Sequence, residues 1–126
     1  MTKSVSGNIN NISRIVKEIH VLRDGMRTFN IDSASALKKS NFAQRICTQC
    51  ITTIEANKRL LGDEVISNLP LFNAINLKRT RDISSHDYGS VDMNIVYRIC
   101  TKLAEKGVLF ELRSELKHLK EIENKE

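Results

Sequence analysis

The segment Arg81-Asp82-Ile83-Ser84-Ser85-His86-Asp87-Tyr88 places a guanidinium, an imidazole and a phenol within eight residues, and Lys78 and Arg79 add two cations just before it. Arginine keeps its charge at any pH a protein meets and offers phosphate oxygens a two-pronged donor array. Histidine exchanges protons near neutral pH and suits general acid–base catalysis. Together they fit phosphate chemistry. Helix geometry limits how they can act, because five positions along an ideal helix are about 140° apart around its axis. Arg81 and His86 therefore converge only if a helix ends between them, or if two copies of the chain face each other. Asp82 and His86 are four apart and would be neighbours on an intact turn, where the carboxylate would favour the charged imidazole. By residue type alone, a solvated face with a turn histidine is the better reading of the cluster. Lys78 and Arg79 either steer a polyanion toward Arg81 or form a solvated basic face.

The elements that must position this segment are helical. Ile9, Ile12, Ile15, Val16, Ile19, Leu22 and Met26 recur every three or four residues, which predicts a first helix capped near Gly7 or Asn8 and running to about Arg27. A second helix is expected from Ser33, a good N-cap, to Gly62. Its buried stripe would run Ala36, Leu37, Ala43, Ile46, Cys47, Cys50, Ile51, Ile54 and Leu61. Gly62 fits a left-handed helix stop, and a short helical stretch follows at 63–68. Pro70 suits the first turn of a third helix carrying Leu71, Phe72, Ile75 and Leu77, weakening near Ser84-Ser85 before the turn signal Asp87-Tyr88-Gly89-Ser90. A fourth helix starts near Asp92. Gly107 interrupts it, and a last helix carries Leu109, Leu112, Leu116, Leu119 and Ile122 before fraying from about residue 120. One proline and five glycines leave little punctuation for a β-rich fold. The expectation is an all-α, antiparallel helical bundle of four to five main helices, with any unspent apolar stripe free to form a dimer interface.

Composition bounds the function. The 126 residues fit one domain. A net charge of +5 is compatible with a polyanionic partner without requiring one. Six aromatics and no tryptophan argue against a surface built on stacked bases. No apolar run approaches the roughly 20 residues that span a bilayer, and the first residues lack the apolar stretch of a secretory signal, so the cytoplasm is the expected compartment. Cys47-Thr48-Gln49-Cys50 has the spacing of half a zinc site, but it lies on an apolar stripe, where buried small hydrophobes are the better reading. Cys100 reads the same way. His20 and His118 sit among charged neighbours as surface or half-buried residues. Glu55 falls on the buried side of its helix, which calls for a partner: either a structural Arg or Lys, or the arginine of the 81–88 segment, which it would orient.

The pattern Arg81, four residues, His86, any residue, Tyr88 resembles the HEPN superfamily, and specifically its HepT-like proteins. Three further segments follow the same order. Ile54-Glu55-Ala56-Asn57-Lys58-Arg59-Leu60 resembles the family's Gly-Glu-Ala-x-Lys-Arg-Leu stretch, and Leu69 to Ile75 its Pro-x-x-Trp-x-x-Ile stretch. Tyr88 to Ile99 resembles its Tyr-x-x-Val-Asp…Trp-x-Ile tail. The resemblance spans about residues 8–120. It implies a single HEPN-like helical domain over 1–126, homodimeric, with paired Arg/His motifs lining one cleft. The implied activity is that of a toxin, a metal-independent endoribonuclease needing no cofactor. Arg81 and His86 would be catalytic and Asp82 supporting, with Lys78 and Arg79 as RNA-binding candidates. An MntA-like nucleotidyltransferase antitoxin would transfer AMP to Tyr88. Asp82 stands where the family usually has Asn, and Phe72 and Tyr97 where Trp is common. A second reading from another class is a non-catalytic HEPN interaction subunit of a minimal nucleotidyltransferase, favoured by the carboxylate at Asp82.

Overall fold

A computed structural model of the protein describes residues 4–80 and 92–125, without the side chains of residues 79 and 80. These residues form an all-α bundle: α1 (Val5–Thr28), α2 (Ala34–Lys38), α3 (Asn41–Arg59), α4 (Asp63–Ser67), α5 (Pro70–Asn73), a 3-10 turn (Leu77–Thr80), α6 (Met93–Leu103) and α7 (Lys106–Lys125). There is no strand among the described residues, and no helix among them is long and apolar enough to cross a membrane.

The apolar spacing sets the packing. Ile12, Ile15, Ile19 and Leu22 repeat at intervals of three and four, so they share one face of α1 and are all fully buried. That face packs against α3 and α7. From α3 come Cys47, Cys50, Ile51 and Ile54, and from α7 Val108, Leu109, Leu112 and Leu119. Helix α6 closes the other side of α3 with Val96, Ile99, Cys100 and Leu103. At one end of the bundle Phe29 and Phe42 meet edge to face, with ring centroids 5.3 Å apart, where α1 gives way and α3 begins.

Local chemistry explains where the observed boundaries depart from the expected ones. Helix α1 starts at Val5 rather than near Gly7, because the Ser4 hydroxyl accepts from Gly7 N at 3.0 Å. The expected helix over 33–62 is two helices. Ser33 caps α2 as expected, by accepting from Ala36 N, but Ser40 then caps a new helix by accepting from Ala43 N at 3.1 Å. The Gln44 amide ties the break together by donating to the carbonyls of Leu37 and Lys38. Gly62 does not terminate a helix in the left-handed region. Its φ is −69°, and it precedes α4 as the N-cap. The left-handed residue is Asn30, with φ 54°.

The third expected helix is much shorter than its apolar pattern suggests. Helix α5 ends at Asn73 and the chain re-forms only as the 3-10 turn at Leu77–Thr80. Asn73 and Asn76 have side chains that compete for backbone hydrogen bonds and favour turns. The last break falls at Ala104-Glu105 rather than at Gly107, which sits in the first turn of α7. Helix α7 stays helical through Lys125, past the expected fraying point.

Helix α5 is capped from a distance. Its own N-cap, Leu69, has no side chain able to accept. The Glu111 carboxylate of α7 instead accepts from Leu71 N and Phe72 N, both at 2.9 Å. The negative group thereby meets the positive end of the helix, and two orphan amide donors are satisfied.

Candidate functional site

Of the six residues singled out by sequence, Arg81, Asp82, His86 and Tyr88 lie outside the described residues. Lys78 and Arg79 belong to the 3-10 turn Leu77–Thr80. Lys78 is exposed and lines a groove of about 450 Å³ between the C-terminal half of α3 and the α5-to-3-10 segment. The groove is therefore bounded by the residues that lead directly into the 81–88 segment.

The groove is assembled from both sides by the fold. Leu77, 2% exposed, anchors the 3-10 turn against α3. Phe72, fully buried, anchors α5. From α3 come Glu55, Lys58 and Arg59, whose spacing of three and four residues places them on one face. The Arg59 Nε donates to Glu55 Oε2 at 3.0 Å. This is the structural partner that the buried position of Glu55 demands. The pairing uses only half of the carboxylate. Glu55 is 4% exposed, and its Oε1 is buried with no hydrogen-bond partner among the described residues. Such an orphaned acceptor costs about 1–3 kcal/mol, more when charged.

Lys58 reaches across the groove. Its ammonium donates to the carbonyl of Asn73 at 3.4 Å and stands 5.5 Å from the centre of the Phe72 ring. Burial holds its pKa below the ordinary lysine value. The neighbouring Lys78 charge pushes in the same direction, while Glu55 opposes both. Three cations, Lys58, Arg59 and Lys78, thus line the groove with two carboxylates, Asp63 and the half-satisfied Glu55. Sequence reasoning named Lys78 but missed Lys58 and Arg59 as its companions. Lys58 and Lys78 are 20 positions apart, and only the turn after α5 brings them together. The available signal was local: Glu55 and Arg59 stand one helical turn apart, with Glu55 on the buried face.

The other candidates have structural settings. Cys47, Cys50 and Cys100 are buried free thiols. The Cys100 thiol donates to Cys47, which lowers the Cys47 pKa and raises that of Cys100, with burial raising Cys100 further. Burial, with Glu18 adding to it, pushes Cys50 well above the ordinary thiol range. His20, half-buried, has its Nε2 2.7 Å from Arg113 Nη2, linking α1 to α7. His118 is exposed and borders a separate groove of about 410 Å³ that also includes Glu115. Among the described residues, no three His, Cys, Asp or Glu side chains gather where they could hold a metal ion. Compared with protein-family models, curated proteins and solved structures, the chain matches none.

Proposed function

We propose that the protein is a HepT-like endoribonuclease acting as a toxin, held in check by a nucleotidyltransferase that transfers AMP to Tyr88. The observation that carries this reading is the ordered set of four segments in the sequence, centred on Arg81, His86 and Tyr88. Two features support it. The fold is an all-α bundle, as the resemblance implies. A groove is lined by Lys58, Arg59 and Lys78, of which Lys78 stands three positions before Arg81 in sequence, and clustered cations favour a phosphate backbone.

In the proposed reaction the ribose 2′-oxygen attacks its own phosphorus and the bond to the 5′-oxygen breaks. The products are a 2′,3′-cyclic phosphate and a 5′-hydroxyl. His86 takes the proton of the 2′-hydroxyl or supplies one to the departing 5′-oxygen, and Arg81 holds the phosphate as its charge redistributes. Dependence on the 2′-hydroxyl restricts the reaction to RNA. Two copies facing each other would supply the convergence that five positions on one helix deny. AMP on Tyr88 would add a negative phosphodiester next to Arg81 and His86, closing the site by charge pairing and bulk.

The test is purified protein with single-stranded RNA in EDTA, with the product ends analysed. Cyclic phosphates are expected from the wild type, and neither Arg81→Ala nor His86→Ala should produce them. Cleavage undiminished in His86→Ala removes the role assigned to that residue. Co-expression with the partner nucleotidyltransferase should add the mass of AMP to the wild type and not to Tyr88→Phe. A chain that gains AMP yet cleaves no RNA would be the non-catalytic interaction subunit that Asp82 favours.

A further inference from the structure

The free oxygen of Glu55 is the least explained feature of the groove. Folding has buried a carboxylate, satisfied one of its oxygens with Arg59 and left the other buried without a partner among the described residues, in a side chain that borders a groove of about 450 Å³. That volume lies within the roughly 300–1,000 Å³ of small-molecule sites. A ligand that fits must bring a hydrogen-bond donor to Glu55 Oε1 and negative charge to the surrounding cations. The electrostatics of the groove point the same way. Lys58 is desolvated and repelled by Lys78, and an anion placed between the two ammonium groups would relieve both penalties.

We infer that this groove is a base-reading subsite for RNA, taking one unpaired nucleotide with the amino group of its base on Glu55 Oε1 and its phosphate against Lys58 and Lys78. The inference rests on the reading of the chain as an RNA-cleaving protein and adds a sequence preference to it. Adenine and cytosine each carry an exocyclic amine able to donate to a carboxylate oxygen, and acidic side chains read the cytosine amine in this way. Uracil presents a single ring N–H between two carbonyl oxygens, and those oxygens repel a carboxylate. Bases in single-stranded RNA are open to reading on this edge. The groove thus selects amino-bearing bases and disfavours uracil.

The geometry also predicts the effect of removing the charge. In Glu55→Gln the amide oxygen keeps the Arg59 hydrogen bond, so the amide nitrogen takes the place of Oε1. An acceptor becomes a donor, which suits the carbonyls of uracil.

The experiment measures binding of fluorescently labelled 2′-O-methyl homopolymers of A, C and U, which lack the attacking hydroxyl and stay intact. Wild-type protein should bind the A and C polymers roughly 5- to 10-fold more tightly than the U polymer. Glu55→Gln should erase or reverse that preference. Lys78→Ala should weaken binding to all three polymers alike and lower the salt slope by about one. A ligand-side change keeps the test valid if Glu55→Gln fails to fold: purine in place of adenine, which lacks only the amine, should bind wild-type protein as weakly as the U polymer does. Equal affinity for all polymers, or no loss with purine, overturns the base-reading role and leaves the nuclease reading standing. Absence of both RNA binding and cyclic-phosphate products overturns the nuclease reading and this inference with it.

Discussion

Replacing Glu111 with Ala isolates the distant cap of α5. Two hydrogen bonds at 2.9 Å are lost, one to the exposed Leu71 N and one to the part-buried Phe72 N. Water can replace the acceptor at Leu71, so that bond contributes little net stability. The Phe72 amide is less accessible, and losing a charged acceptor there resembles losing an N-cap. The expected cost is about 1–2 kcal/mol. For a domain of this length that corresponds to a fall in Tm of roughly 3–10 °C. Glu111→Gln keeps one acceptor oxygen and should lose about half as much. Urea unfolding followed by circular dichroism gives the stability, and native-state hydrogen exchange locates it. The Leu71 and Phe72 amides should exchange faster in Glu111→Ala, while amides in the middle of α1 should change only by the global loss. An unchanged unfolding midpoint together with unchanged exchange at Leu71 and Phe72 would refute the capping argument.

Three further outcomes follow from the packing and the thiols. Phe72→Ala empties a fully buried site under the groove and should cost about 3–5 kcal/mol in urea unfolding. Ser40→Ala removes the cap that begins α3 and should cost about 1 kcal/mol, whereas Ser40→Gly should cost only a few tenths by the same measurement. Cys50 is held protonated by burial and by Glu18, so its effect appears at high pH. Below the unfolded thiol's pKa of about 8.5 both states are protonated and Cys50 adds no slope. Above it the unfolded chain ionises first and stability falls, by at most about 1.4 kcal/mol per pH unit. Urea midpoints measured from pH 7 to about pH 10 should therefore fall more steeply in the wild type than in Cys50→Ala, and parallel curves would contradict the assignment.

The long helices were legible because burial writes itself into spacing. The three- and four-residue recurrence of Ile12, Ile15, Ile19 and Leu22 marks α1 unambiguously, and Asp92 begins α6 as its type suggests, by accepting from Asn94 N. Breaks were less legible where the apolar stripe crosses them. The pattern from Ala36 to Leu61 runs straight through Lys39-Ser40, and what divides it is a side chain, Gln44, reaching back to Leu37 and Lys38. Glycine misled at two points because its freedom was unused: Gly62 and Gly107 take ordinary helical or extended backbone, while Asn30 supplies the left-handed turn. The 81–88 segment stands out in the sequence by its residue types and by its place in the ordered set of four segments. The groove lined by Glu55, Lys58 and Lys78 is not legible in this way, since the pairing of Lys58 with Lys78 depends on where α5 ends. Glu55 was legible as a buried acid in need of a partner, but half-satisfaction of its carboxylate is a property of three-dimensional packing.

The place of α1 has a consequence for how the chain comes off the ribosome. Its apolar face is covered on one flank by α3, which follows soon after, and on the other by α7. Between Leu22 and Leu112 the ribosome adds roughly ninety residues, a wait on the order of 5–20 s at bacterial or eukaryotic elongation rates. Throughout that interval a row of isoleucines stands half-sheltered on the nascent chain. Chaperone engagement, and the risk of premature self-association, should concentrate on this row and end when the final helix docks.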